Sequence, residues 1–86
     1  MLFFRKKSYE VKLRGRSEVE YIEGKRRLRI GSEFLADDAG IVLYSSGLTH
    51  WESPHQCEVL SEDDLMRVKA NVLADLAKHK IPAEWD

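Results

Sequence analysis

Cysteine is almost missing from this chain: Cys57 stands alone and cannot close an intramolecular disulfide, which fits a reducing compartment and makes the cytoplasm the expected location. Long hydrophobic runs are missing too, since no stretch approaches the roughly 20 apolar residues of a membrane-spanning helix. The apolar opening Met1-Leu2-Phe3-Phe4 is followed at once by Arg5-Lys6-Lys7, the reverse of the charge-then-apolar order of a signal peptide. Nor is there an excess of one charge. Fourteen Lys and Arg stand against fifteen Asp and Glu, so a formal net charge of −1 supplies no global field to draw nucleic acid or an anionic membrane. Repeats and low-complexity tracts do not occur, and no catalytic or cofactor motif is recognisable. The chain is read as a non-enzyme with no cofactor.

What is present is the composition of an ordinary soluble globule, 43% hydrophobic and 34% charged, in a single domain spanning residues 1–86. At that size only about 60 to 65% of the unfolded chain's surface can be buried, so the core is thin. Tyr9, Val11 and Leu13 alternate with Glu10, Lys12 and Arg14 and predict a half-buried strand ended by Gly15. Residues 19–22 and 26–30 flank Glu23-Gly24-Lys25, a hairpin in which Gly24 supplies the positive φ. Leu28 and Ile30 then point inward. Arg27 and Arg29 take the other face, in reach of cross-strand pairs with Glu20 and Glu18. Gly31 is the natural place for a bulge, residues 32–36 stay extended, and residues 37–40 turn the chain.

Ile41, Val42, Leu43 and Tyr44 are consecutive and apolar, so they predict a short central strand covered on both faces. Ser61 opens a helix with Glu62, Asp63 and Asp64 at its positive end. Its inward stripe runs through Leu65, Val68, Val72 and Leu76, flanked by Met66, Leu73 and Ala77, with Arg67, Asn71, Asp75 and Lys78 opposite. Pro82 forbids continuation and leaves residues 81–86 as a tail that lies against the sheet or frays. The fold class is therefore α+β: an antiparallel meander of about four strands with one C-terminal helix on one face. A single helix covers one face only, so the other predicts an exposed apolar patch, built from Ile41 and Leu43 or from Val42 and Tyr44, or a homodimer through that face.

His50, Glu52, His55 and Cys57 crowd within eight residues, and all four side-chain types can bind zinc. Their spacing matches no metal motif, so they read as the polar surface of a loop. Cys57 with His50 or His55 has the chemistry of a nucleophile and base but lacks a recognisable oxyanion turn or orienting partner. Lys25, Arg26, Arg27 and Arg29, with Tyr21 nearby for stacking, form the densest basic patch and the minimum for a nucleic-acid-binding or regulatory module. Glu18, Glu20, Glu23 and Glu33 interleave with it, which favours an ion-paired solvated face. Trp51, in a connection longer than most, is either an anchor on the core or a contact residue.

Tyr21-Ile22-Glu23-Gly24, then Leu28-Arg29-Ile30-Gly31-Ser32-Glu33, then Trp51-Glu52-Ser53-Pro54-His55 and an acid-capped helix resemble the bacterial immunity protein 74 family. The resemblance runs from Tyr21 to Asp75. It implies an α+β immunity protein of a polymorphic toxin system, the antidote that binds and neutralises a cognate toxin. Glu33, Trp51, Glu52 and Pro54 match best. Ser53 stands where a second proline is expected, which leaves the loop less rigid, and the basic N-terminal segment has no counterpart. His50, Trp51, Glu52, Pro54, His55 and Glu33 are accordingly the candidate partner-binding residues.

Overall fold

The alternation of apolar and charged residues builds β1 (Tyr9–Arg14), the outer strand of a five-stranded sheet in a computed structural model that describes residues 9–15, 17–36, 39–53 and 57–86. β1 pairs antiparallel with β2 (Glu18–Glu23), which pairs antiparallel with β3 (Arg26–Phe34). Gly24, at φ 62°, makes the turn between β2 and β3; a Cβ there would meet nothing, so the backbone conformation is the reason for glycine. Tyr21 lies opposite Leu28 and Val19 opposite Ile30, so Leu28 and Ile30 point inward as expected. Residues 37–38, assigned to a turn, lie outside the described residues, as does the N-terminal segment 1–8.

β3 is long enough to change partners along its length. Its first six residues pair with β2, and Ser32, Glu33 and Phe34 pair antiparallel with β4 (Ile41–Leu43). The ladder passes through Gly31 without the expected bulge, because Gly31 pairs regularly with Glu18. Gly31 instead seats an aromatic ring: the Tyr44 side chain lies about 3.9 Å from where a Cβ would be.

From β4 the chain runs through a long connection into α1 (Glu62–Lys78), then returns as β5 (Ala83–Trp85), parallel to β4. The sheet is therefore a four-strand meander extended by one parallel edge strand, one more strand than expected. Pro82 ends the helix, but its carbonyl accepts from the Ile41 backbone at 2.9 Å, and the Asp86 backbone donates to Leu43 at 2.8 Å. The Trp85 indole N–H donates to the Lys69 carbonyl of α1 at 3.2 Å. Three residues are too few to show a period, and a parallel strand needs a crossover before it can pair. β5 thus becomes visible only once α1 is in place.

One layer of side chains lies between sheet and helix: Val19, Tyr21, Leu28, Ile30, Ile41, Leu43 and Trp51 against Val68, Val72 and Leu76. The helix is rolled relative to the expected stripe. Met66 is 70% exposed and Leu73 lies at the surface, whereas Asp75, expected on the solvent side, is buried. The roll is set by polar bonds along that flank. Asn71 donates to the Tyr21 hydroxyl at 3.0 Å, and Arg67 donates to Glu23, so the helix turns this side toward β2.

Among the described residues no helix lies on the other sheet face. It presents Glu10, Lys12 and Arg14 from β1, Glu18, Glu20 and Ile22 from β2, Arg27, Arg29, Gly31 and Glu33 from β3, and Val42 and Glu84 from β4 and β5. Its apolar share is reduced to Ile22, Val42 and Tyr44, each half-buried among charges. Of the two pairs open to this face, Val42 and Tyr44 turn outward, while Ile41 and Leu43 are buried on the helix side.

Candidate functional site

In the connection between β4 and α1, residues 47–53 and 57–60 bond to one another. Trp51 donates its backbone N–H to Glu58 at 3.2 Å, Leu60 donates to Thr49 at 2.9 Å, and His50 and Val59 form an antiparallel bridge. The loop is fastened to the sheet at three points. Trp51 is buried in the core, the Glu52 backbone N–H donates to the Arg27 carbonyl at 2.8 Å, and Arg26 binds Glu58 through Nε and Nη2 at 3.1 and 2.5 Å. The Arg26 guanidinium also sits 5.9 Å from the Trp51 ring centroid. Of the two roles open to Trp51, the structure thus places its ring as an anchor, while the neighbouring His50 and Glu52 stay exposed. The loop is held as a rim beside the outer sheet face.

Charge on that face is distributed unevenly. Glu20 lies directly opposite Arg29, yet it takes Arg14 instead, whose Nε and Nη2 both reach Oε1 at 3.1 and 2.8 Å. Arg14 and Glu20 are diagonal neighbours across β1 and β2, a separation that a long arginine spans easily. Bonding to Arg14 holds the Glu20 carboxyl below the usual range. The expected pairing of Arg27 and Arg29 with Glu18 and Glu20 is not formed. Among the described residues neither Arg27 nor Arg29 makes an ion pair. Together with Glu20, Glu52 and Ser53 they line a shallow cleft of about 140 Å³ where the loop rim meets the sheet.

At the far end of the same β3 face, Glu33 is exposed and accepts from the Tyr44 hydroxyl at 2.8 Å. That bond pushes the Tyr44 phenol upward. With its ring over Gly31 and its hydroxyl on Glu33, Tyr44 is a partly open aromatic in the middle of a charged surface.

The structure therefore leaves Glu33, His50 and Glu52 exposed and buries Trp51 in the core. Pro54 and His55 lie outside the described residues. Sequence reasoning offered Tyr44 for the uncovered face without its bond to Glu33, and it missed that Arg27 and Arg29 have no ion pair among the described residues. The alternation along β3 was the signal that placed the two arginines outward, but not the diagonal bond that takes Glu20 from them. The basic patch of the nucleic-acid reading is divided. Arg26 is committed to Glu58 beside the loop, and Tyr21, its stacking residue, is fully buried. Among the described residues no three His, Cys, Asp or Glu side chains converge as metal ligands, and no helix is long and apolar enough to cross a membrane.

A mostly antiparallel sheet of five strands with one helix packed on it defines a small α+β protein. The family model described as Imm74, immunity protein 74, matches residues 10–85, which is almost the entire chain, and the protein belongs to that family. No curated protein and no solved structure matches it.

Proposed function

We propose that the protein is a non-enzymatic antidote that acts in the bacterial cytoplasm by binding a cognate toxin and occluding its working surface. Membership of the immunity protein 74 family over residues 10–85 carries this reading. The recognition surface is the outer sheet face together with its loop rim, where Glu33, His50 and Glu52 are exposed. The loop is suited to the task because its backbone is fixed by Trp51 and by the Arg27 carbonyl before any partner arrives, which lowers the ordering cost of binding. Pro54 and His55, which follow Glu52 by two and three residues in sequence, are further partner contacts in this reading, and Trp51 contributes by anchoring the backbone next to Glu52.

Pulling down the product of the adjacent reading frame tests the proposal. The two purified proteins should co-elute as a stable complex, and co-expression should restore growth to cells that the neighbour alone arrests. Arrest that is unrelieved by this chain, with no complex on gel filtration, overturns the reading.

A further inference from the structure

On the outer face of β1 and β2 the arginine and lysine side chains have carboxylate partners: Arg14 binds Glu20, and Lys12 lies 3.7 Å from Glu10. On the inner and loop sides Arg26 is taken by Glu58, and Arg67 by Glu23 and Asp64. Arg27 and Arg29 break this pattern. They stand two residues apart on β3, hence on one face with their Cα atoms roughly 7 Å apart, and among the described residues neither has a counter-ion.

Their surroundings select a ligand. The cleft of about 140 Å³ is walled on one side by Glu20 and on the other by Glu52 and Ser53. Glu20 is hydrogen-bonded to Arg14 and feels Arg27 only through space, so of the two acids on the cleft wall Glu52 is the one without a bonded arginine. Arginine forks bind planar carboxylates through two parallel hydrogen bonds, and the Ser53 hydroxyl adds a donor on the rim. A nucleic-acid backbone needs cations spaced along several phosphates, whereas here Glu20 and Glu52 flank the arginines on both sides and Arg26 is already bound. The space suits one acidic side chain.

We propose that the Arg27 and Arg29 cleft is a receptor for an aspartate or glutamate side chain of the toxin, the specificity contact of the recognition surface. The proposal rests on the reading of this face as toxin-binding. It places the strongest polar contact on two residues of β3 and leaves Glu52 the task of rejecting a second acidic group. Because Glu52 shares the cleft, the same geometry favours a single carboxylate over an acidic run.

The experiment uses the intact chain labelled with 15N, following the arginine Nε–Hε resonances. Acetyl-Gly-Asp-Gly-amide should shift Arg27 and Arg29 saturably in the millimolar range, and acetyl-Gly-Asn-Gly-amide should not. An Arg27→Gln and Arg29→Gln double variant, with its backbone spectrum otherwise unchanged, should lose the response and bind the toxin on the order of 100-fold more weakly. No shift with the aspartyl peptide overturns the proposal, as does an oligouridylate that shifts the same resonances at tenfold lower concentration. If the double variant neutralises the toxin as well as the parent does, the cleft is excluded while the antidote reading stands. Peptide binding in a chain that neutralises no toxin gives the opposite outcome, leaving the carboxylate site and removing the antidote.

Discussion

Arg67 in α1 grips Glu23 at the end of β2 with both arms of its guanidinium, Nε to Oε2 at 3.0 Å and Nη2 to Oε1 at 2.8 Å, and so ties the helix to the sheet. The bond belongs to a chain. The Tyr21 hydroxyl donates to the same Glu23 at 2.6 Å, Asn71 donates to that hydroxyl, and Arg67 reaches Asp64, which closes the capping box with Ser61. Hydrogen bonds passed along such a network support one another, and here they also set the roll of the helix.

This network makes stability depend on acid pH. Burial raises the Glu23 carboxyl, but the bonds from Arg67 and Tyr21 outweigh it and leave the group below its ordinary 4.5. Asp64 is lowered from 3.8, first by the Ser61 backbone N–H and then by Arg67. As pH falls the unfolded chain takes up protons before the folded one does. The contribution is therefore complete above about pH 5 and is lost as pH drops through the lowered folded values. Glu23→Gln should flatten the fall in melting temperature between about pH 5 and about pH 3 while costing on the order of 1 kcal/mol or less at pH 7, because the pair is partly screened by solvent. Parallel acid profiles for the variant and the parent would refute the assignment.

The Ser61 cap is complete in both directions, with its hydroxyl accepting from the Asp64 backbone at 3.0 Å and its own N–H donating to the Asp64 carboxylate at 3.1 Å. Ser61→Ala should lower stability by about 1 kcal/mol. Leu76→Ala, which empties a buried position, should cost roughly 2 to 5 kcal/mol, enough to unfold a marginal domain of this size. Urea titration of both variants measures the contrast. Equal losses would mean that the helix is held by something other than its apolar face.

Gly40 controls the edge that sequence reading left open. It sits at φ 115°, and a Cβ there would run into the Pro82 carbonyl group that accepts from Ile41. Gly40→Ala is expected to separate β5 from β4, loosening Trp85 from α1 and costing more than the roughly 1 kcal/mol of an ordinary glycine replacement. Hydrogen exchange should show Asp86, whose backbone N–H donates to Leu43, losing protection first. Unchanged protection of that amide would show that β5 does not need the close approach.

The parts of the fold that were legible are those in which one local rule acts alone. Alternation over six residues gave β1, Gly24 gave the hairpin, and an acidic run behind Ser61 gave the helix start. What escaped depends on contacts between distant segments. β5 pairs with a strand about forty residues earlier, and the exposed placing of Met66 follows from Asn71 and Arg67 reaching β2. The second sheet face was expected to be apolar because four consecutive apolar residues were read as covered on both sides. Only Val42 and Tyr44 of the four turn outward, and both are shielded by neighbouring strands and charges. Of the site, sequence reasoning found the surface residues Glu33, His50 and Glu52. The availability of Arg27 and Arg29 depends on Glu20 choosing Arg14, a three-strand arrangement that no pairwise spacing encodes.

Trp51 and Glu52 are adjacent and do opposite work, which gives the sharpest test of where recognition lies. Trp51 is buried with its ring beside Arg26, so Trp51→Ala should cost roughly 3 to 5 kcal/mol and release the loop, and any loss of toxin binding there would report unfolding rather than contact. Glu52 is exposed, and its backbone N–H rather than its side chain makes the bond to Arg27, so Glu52→Lys should leave the melting temperature nearly unchanged. On the recognition surface the same reversal should change toxin affinity by about tenfold or more, together with its salt dependence. Glu33→Lys, at the other end of the face and bonded to Tyr44, should behave in the same way, with a small loss of stability from the broken hydroxyl bond. Calorimetric titration of the toxin against the two lysine variants decides the matter. If both bind as tightly as the parent, recognition lies off this face, and the apolar edge where Leu73, Ala77, Ile81 and Pro82 line a groove beside β5 becomes the surface to mutate next.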